Sequence, residues 1–160
     1  MSNLSSAASS RKVRNKMAEF SFGNPQREPI RSEMTLEEMD KPREGSRAAL
    51  IAGGRLNEIS EGPFRIQCQE YYRESLAVTR AVWQLVDAAV KNKQWRNSYP
   101  GVLNDILYMS KRGRPLNPYA RLFSVVIKGA GNRSLRTFKV VTKLADTGEL
   151  VSTIMLPEEG

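Results

Sequence analysis

The chain has 160 residues, a formal net charge of +8, 40% hydrophobic and 26% charged residues, the balance of a globular protein with one core, since domains cluster near ~100–150 residues. No apolar run approaches the ~18–20 residues that cross a bilayer. Cys68 is the single cysteine and histidine is absent, which excludes an internal disulfide, a four-ligand zinc site and a His-based proton shuttle.

Residues 1–31 lack sustained periodicity, are rich in Ser and Asn, and contain Pro25 and Pro29. This predicts a flexible Ser-rich arm, basic through Arg11, Lys12, Arg14 and Lys16, ahead of a single α+β domain over 32–160. Small polar residues precede the basic cluster and no apolar segment follows it, unlike a secretory signal. The expected location is intracellular, cytoplasmic or nuclear. "TLEEMDKP" has the form of a capping box, with Thr35 and Glu38 satisfying each other's backbone amides and Pro42 limiting the helix to about two turns. Ser46 is a candidate N-cap for "RAALIA". Gly53-Gly54 supplies a left-handed residue to end that helix, and no Gly-Lys-Ser/Thr follows to make a phosphate loop.

From Pro63 through Val90, apolar residues recur at three- and four-residue steps: Phe64, Cys68, Tyr71, Tyr72, Leu76, Val82, Trp83, Val86, Ala89 and Val90. The spacing predicts one long amphipathic core helix, with Glu70, Arg73, Glu74, Arg80 and Asp87 on its wet side and Cys68 as a packing residue. Helix propensity fades after Lys93-Gln94-Trp95-Arg96. "SYPG" opens another helix lined by Leu103, Ile106, Leu107 and Tyr108.

That helix runs into "SKRGRPLNPYARLF". Lys111 and Arg112 in a last turn meet the partial negative charge of the carbonyl end, Gly113 suits a cap, and Pro115 stops continuation. Arg112-Gly113-Arg114-Pro115 also resembles the core of the AT-hook, a short DNA-binding motif of chromatin-associated proteins. Over those four residues the resemblance implies two arginines lying along a narrow A·T minor groove. Leu116-Asn117 departs from the pattern, standing where further basic residues or proline are usual.

After Pro118 the period changes to two. "YARLFSVVIK", "RSLRTFKVVTKL" and "ELVSTIML", separated by the turns "GAGN" and "ADTG", read as three antiparallel strands. The expected fold class is therefore α+β: an N-terminal disordered arm, several helices including one long amphipathic core helix, then a three-stranded antiparallel meander. Arg133, Lys139 and Lys143 fall on the polar side of its middle strand.

Charge is uneven along this plan. Residues 91–143 hold twelve Lys/Arg and one acid, Asp105, whereas residues 1–62 hold ten Lys/Arg against nine acids and residues 144–160 hold four acids alone. A run of like charge is often only a solvated face, and lysines on a sheet also discourage edge pairing. A surplus this concentrated repels itself, and a polyanion relieves that repulsion. The expectation is a non-enzymatic nucleic-acid-binding protein, with RNA favoured over DNA and no cofactor. Lys111, Arg112, Arg114, Arg121, Arg133, Lys139 and Lys143 are the nominated phosphate contacts, helped by Arg11, Lys12, Arg14 and Lys16. Trp95, Tyr99 and Tyr119 are candidates for base stacking. A basic arm on a basic domain is also how small viral coat or nucleocapsid proteins are organised, which would add self-association and a virion setting. The alternative is a matrix-like or adaptor protein whose basic face meets anionic membrane or an acidic partner.

Overall fold

The computed structural model describes residues 44–160. The arm with Arg11, Lys12, Arg14 and Lys16, and the Thr35/Glu38 capping box, lie outside the described residues. Within them the elements run α1 (Arg47–Ala52), β1 (Leu56–Glu58), a 3-10 turn (Gly62–Phe64), α2 (Arg65–Gln69), β2 (Ser75–Thr79), α3 (Arg80–Lys91), α4 (Tyr99–Ser110), β3 (Arg114–Asn117), β4 (Ala120–Val126), β5 (Leu135–Leu144) and β6 (Leu150–Met155). The six strands form one mixed sheet in the order β1-β2-β6-β5-β4-β3. All neighbours are antiparallel except β2 and β6, which run parallel.

This overturns the expected fold class. No long core helix occurs among the described residues, and the three expected strands are part of a six-stranded mixed sheet instead of a free meander. The stretch predicted as one helix from Pro63 to Val90 is cut into the 3-10 turn, the five-residue α2, the strand β2 and the twelve-residue α3. The cause is burial on two sides. Leu76, Ala77, Val78 and Thr79 are all buried in succession, which a helix with one wet face does not offer. A strand inserted between two others does. β2 pairs with β1 on one side (Leu56 with Thr79) and β6 on the other (Leu76 with Ser152). Thr79 then ends the strand and begins α3, its backbone extended and its hydroxyl accepting from the Val82 amide, so strand and helix meet with no linker.

Register assigns the two faces of the sheet. Leu76, Val78, Phe123, Val125, Phe138, Val140 and Ile154 share one face and pack under α2, α3 and α4, against Cys68, Val82, Val86, Leu103, Ile106 and Leu107. Each large side chain fully buried there contributes on the order of 1.5–3 kcal/mol. Cys68 is part of that packing: its thiol donates to the Ile59 carbonyl at 3.2 Å, and burial pushes its pKa up to about 11. Ser98 caps α4 by accepting from the Gly101 amide at 3.1 Å. Gln67 of α2, and Tyr71 just past its end, donate to the Pro100 carbonyl and Asn104 Oδ1 of α4.

The opposite face is covered at one side by α1, capped by Ser46 as its sequence implies. Arg47 clamps this helix to the sheet, donating to Thr153 Oγ1 at 2.9 Å, to the Ser152 carbonyl at 3.2 Å and to Glu58 at 3.3 Å. Beside α1, an open groove of about 910 Å³ runs along β5 and β6. No helix among the described residues is long and apolar enough to cross a membrane.

Candidate functional site

The nominated cations fall into three places. At the carboxyl end of α4 stand Lys111, Arg112, Arg114 and Arg121, on the groove face stand Lys139 and Lys143, and in the β4–β5 turn stands Arg133. Of the seventeen Lys and Arg between residues 44 and 160, only Arg47 and Lys91 form ion pairs among the described residues.

At the end of α4 the cations are exposed but lie against aromatic rings and helix carbonyls. Lys111 is the C-cap, and its ammonium lies 3.8 Å from the centre of the Tyr72 ring. Burial there lowers the Lys111 pKa, and the nearby Arg121 lowers it further while Glu74 opposes. Ser110 gives its proton to the Leu107 carbonyl at 2.7 Å, so in the 2.6 Å contact between Tyr72 and Ser110 the tyrosine is the donor. Arg121 donates to the Lys111 carbonyl at 2.8 Å. Arg112 lies 3.6 Å over the Tyr108 ring and donates to the Tyr108 carbonyl at 3.4 Å. These groups satisfy the carbonyls that any helix leaves unpaired at this end.

The hook-like tetrapeptide belongs to the same junction. A Cβ on Gly113 would stand 2.7 Å from the Leu122 carbonyl oxygen. Its lack of a side chain therefore serves close approach to β4. Arg114 and Pro115 are already strand, paired with Leu122 and Arg121. Tyr119, 68% exposed, follows in the turn, where its amide donates to Asn117 Oδ1 at 2.8 Å.

In the groove, Lys139 is largely committed: it donates to the carbonyls of Glu159 at 2.6 Å and Pro157 at 3.4 Å, holding the C-terminal segment against β5. Lys143 is exposed. Arg55 and Arg80 line the same groove. Sequence reasoning did not nominate them, because they lie outside the basic stretch and reach the groove only through the β1–β2 pairing.

The third place lies at the other end of β4, where the α3–α4 loop meets the β4–β5 turn. Two asparagines fasten them together: Asn92 Nδ2 donates to the Gly129 carbonyl at 3.3 Å, and Asn97 Nδ2 to the Lys128 carbonyl at 2.7 Å and the Ala89 carbonyl at 3.0 Å. Between these fastenings Arg96 adopts φ 51°, the one non-glycine residue with positive φ among those described, a conformation that costs free energy and is held by its surroundings. The result displays Trp95, 45% exposed, with the Lys128 ammonium 5.0 Å from its ring centre. Gly129, at φ +92°, lets the indole lie close, since a Cβ there would meet Trp95 Cδ1 at 3.0 Å. Trp95, Asn97, Asp105 and Lys128 border a cleft of about 230 Å³.

Of the three aromatic candidates, Trp95 and Tyr119 are exposed but stand at opposite ends of β4, about 20 Å or more apart at ~3.3 Å per residue. Tyr99 is taken up internally: its ring stacks on Trp83 with centroids 5.6 Å apart and planes 8° off parallel, and its hydroxyl donates to Asp87. Lys128 and Asp105 were not nominated. Their signal is tertiary, because 33 residues separate Lys128 from Trp95. Neither a family model, nor a curated protein, nor a solved structure matches this chain.

Proposed function

We propose that this protein binds nucleic acid, unpaired RNA in preference to duplex DNA, at the junction of the α3–α4 loop and the β4–β5 turn. The observation that carries the reading is the exposed Trp95 ring held beside Lys128, in a loop that also carries Lys93 and Arg96 and against a turn that also carries Arg133. Exposed cations attract the backbone by releasing condensed counterions, and an aromatic face accepts any unstacked base. Duplex DNA hides its bases in the stack and offers such a ring nothing. Arg114, Lys143, Arg55 and Arg80 lie elsewhere on the fold and extend the positive field without joining this junction. The cations at the end of α4 are structural in this reading.

Binding of the full chain to single-stranded RNA, duplex DNA and phosphatidylserine vesicles, each across a salt series, tests the proposal. The expected result is tightest binding to single-stranded RNA, with log affinity falling linearly against log salt. Preference for the vesicles over both nucleic acids would replace it with the membrane-facing alternative.

A further inference from the structure

The basic stretch 91–143 contains one acid, Asp105, and the fold brings it to the cleft beside Trp95. It lies on α4 and is exposed. Neither ion pair found among the described residues involves it, although Lys128 borders the same cleft. A carboxylate repels phosphate, so at a site that only collected phosphates it would weaken binding. Its presence there calls for a ligand with hydrogen-bond donors as well as negative charge.

We propose that this cleft is a nucleobase subsite selective for guanine, an inference that rests on the RNA-binding reading above. A carboxylate is acceptor-only and has two oxygens. Guanine is the base whose Watson–Crick edge presents two adjacent donors, N1–H and the N2 amino group, whereas adenine and cytosine set one amino group beside an acceptor and uracil sets one N–H between two carbonyls. A guanine stacked on the Trp95 face presents that edge to Asp105, and Lys128 stands at the cleft border for the flanking phosphate. The volume of about 230 Å³ falls below the ~300–1,000 Å³ of pockets that take drug-sized ligands and suits one ring system. The platform is built in advance. Asn92 and Asn97 tie loop to turn, Arg96 holds its unfavourable backbone angle, and Gly129 leaves room for the indole. Such fixing lowers the ordering cost of binding.

The test is fluorescence anisotropy of the full chain with an eight-residue oligouridylate and with the same oligomer carrying one central guanosine. The guanosine oligomer is expected to bind about tenfold tighter, the scale of one well-made base contact. Asp105→Asn should abolish that preference, bringing the guanosine oligomer to the affinity of oligouridylate. Trp95→Phe should keep the preference and Trp95→Ala should weaken both oligomers about tenfold, with circular dichroism unchanged for all three variants. Equal binding of the two oligomers, or a guanosine preference that survives Asp105→Asn, would overturn the base subsite and leave RNA binding standing. Failure of both oligomers to bind at low salt would overturn both.

Discussion

The two ends of β4 carry similar residues put to different use. At its start, Lys111, Arg112 and Arg121 surround tyrosines and helix carbonyls, and their positive charge completes the end of α4. Past its far end, Lys128 and Arg133 lie in a turn that two asparagines fasten to the Trp95 loop, and the indole faces outward. The contrast lies in one ring at each end: Tyr72, 5% exposed, is closed under Lys111, whereas Trp95, 45% exposed, is displayed beside Lys128. What separates the cases is the supply of unpaired carbonyls: a helix C-terminus has several to satisfy, and a glycine-rich turn pinned by asparagine side chains has fewer.

The comparison can be broken most sharply at its glycines. Gly113→Ala forces a Cβ against the Leu122 carbonyl and should destabilise the protein by about 1–3 kcal/mol in urea unfolding, without altering the salt slope of RNA binding. Gly129→Ala should also cost stability, because φ +92° is strained for an L side chain and the Cβ would meet both Trp95 and Asn92, and unlike Gly113→Ala it should weaken RNA binding by moving the indole. If Gly113→Ala is neutral, the junction is not the tightly packed device described.

Charge reversal comes next. Lys128→Glu with Arg133→Glu should weaken single-stranded RNA binding about tenfold or more and flatten the salt dependence by about one unit of slope for each lost phosphate contact, with the unfolding midpoint close to that of the parent. Lys111→Glu should show the opposite pattern, losing stability first. Similar affinity losses from both variants would erase the distinction between the two ends.

On the groove face, Lys139→Ala removes bonds to two carbonyls of the C-terminal segment and should cost ~1 kcal/mol. Exposed Lys143→Ala should leave stability unchanged. Urea midpoints of the two variants measure the difference directly.

The smallest effect is one of pH. Burial against Tyr72 depresses the Lys111 pKa below its usual 10.5. Between that lowered value and 10.5 the unfolded chain binds more protons than the folded one, so this group makes stability rise with pH across that window. Lys111→Met should remove this upward contribution from the slope of unfolding free energy in the window just below pH 10.5. Equal slopes in parent and Lys111→Met would mean that Lys111 is fully hydrated.

Local chemistry was legible wherever neighbours in sequence decide the outcome. Ser46 caps its helix with its own hydroxyl, and a helix does open at "SYPG". Glycines make the turns between strands, and the period-two pattern marks the residues that become β4, β5 and β6. The period-3.6 reading of residues 63–90 failed at Ser75–Thr79 because short apolar runs fit either period. Phe64, Cys68, Tyr72, Leu76 and Val82 all do reach the core or its edge, yet from four different elements and the connection before β2. Tyr99 was misread as free for bases because its partners, Trp83 and Asp87, come from the preceding helix.

By itself the sequence determined the surplus of positive charge, its crowding into residues 91–143 around a single acid, the lack of histidine chemistry, and the caps and turns, all of which depend on composition or on residues within a few positions of one another. Only the tertiary structure decided that β2 is a central strand beside β6, that Lys111 and Arg121 close a helix, and that Trp95, Asp105 and Lys128 border one cleft. Those outcomes depend on pairings between residues tens of positions apart, whose free energy appears only when the sheet is assembled.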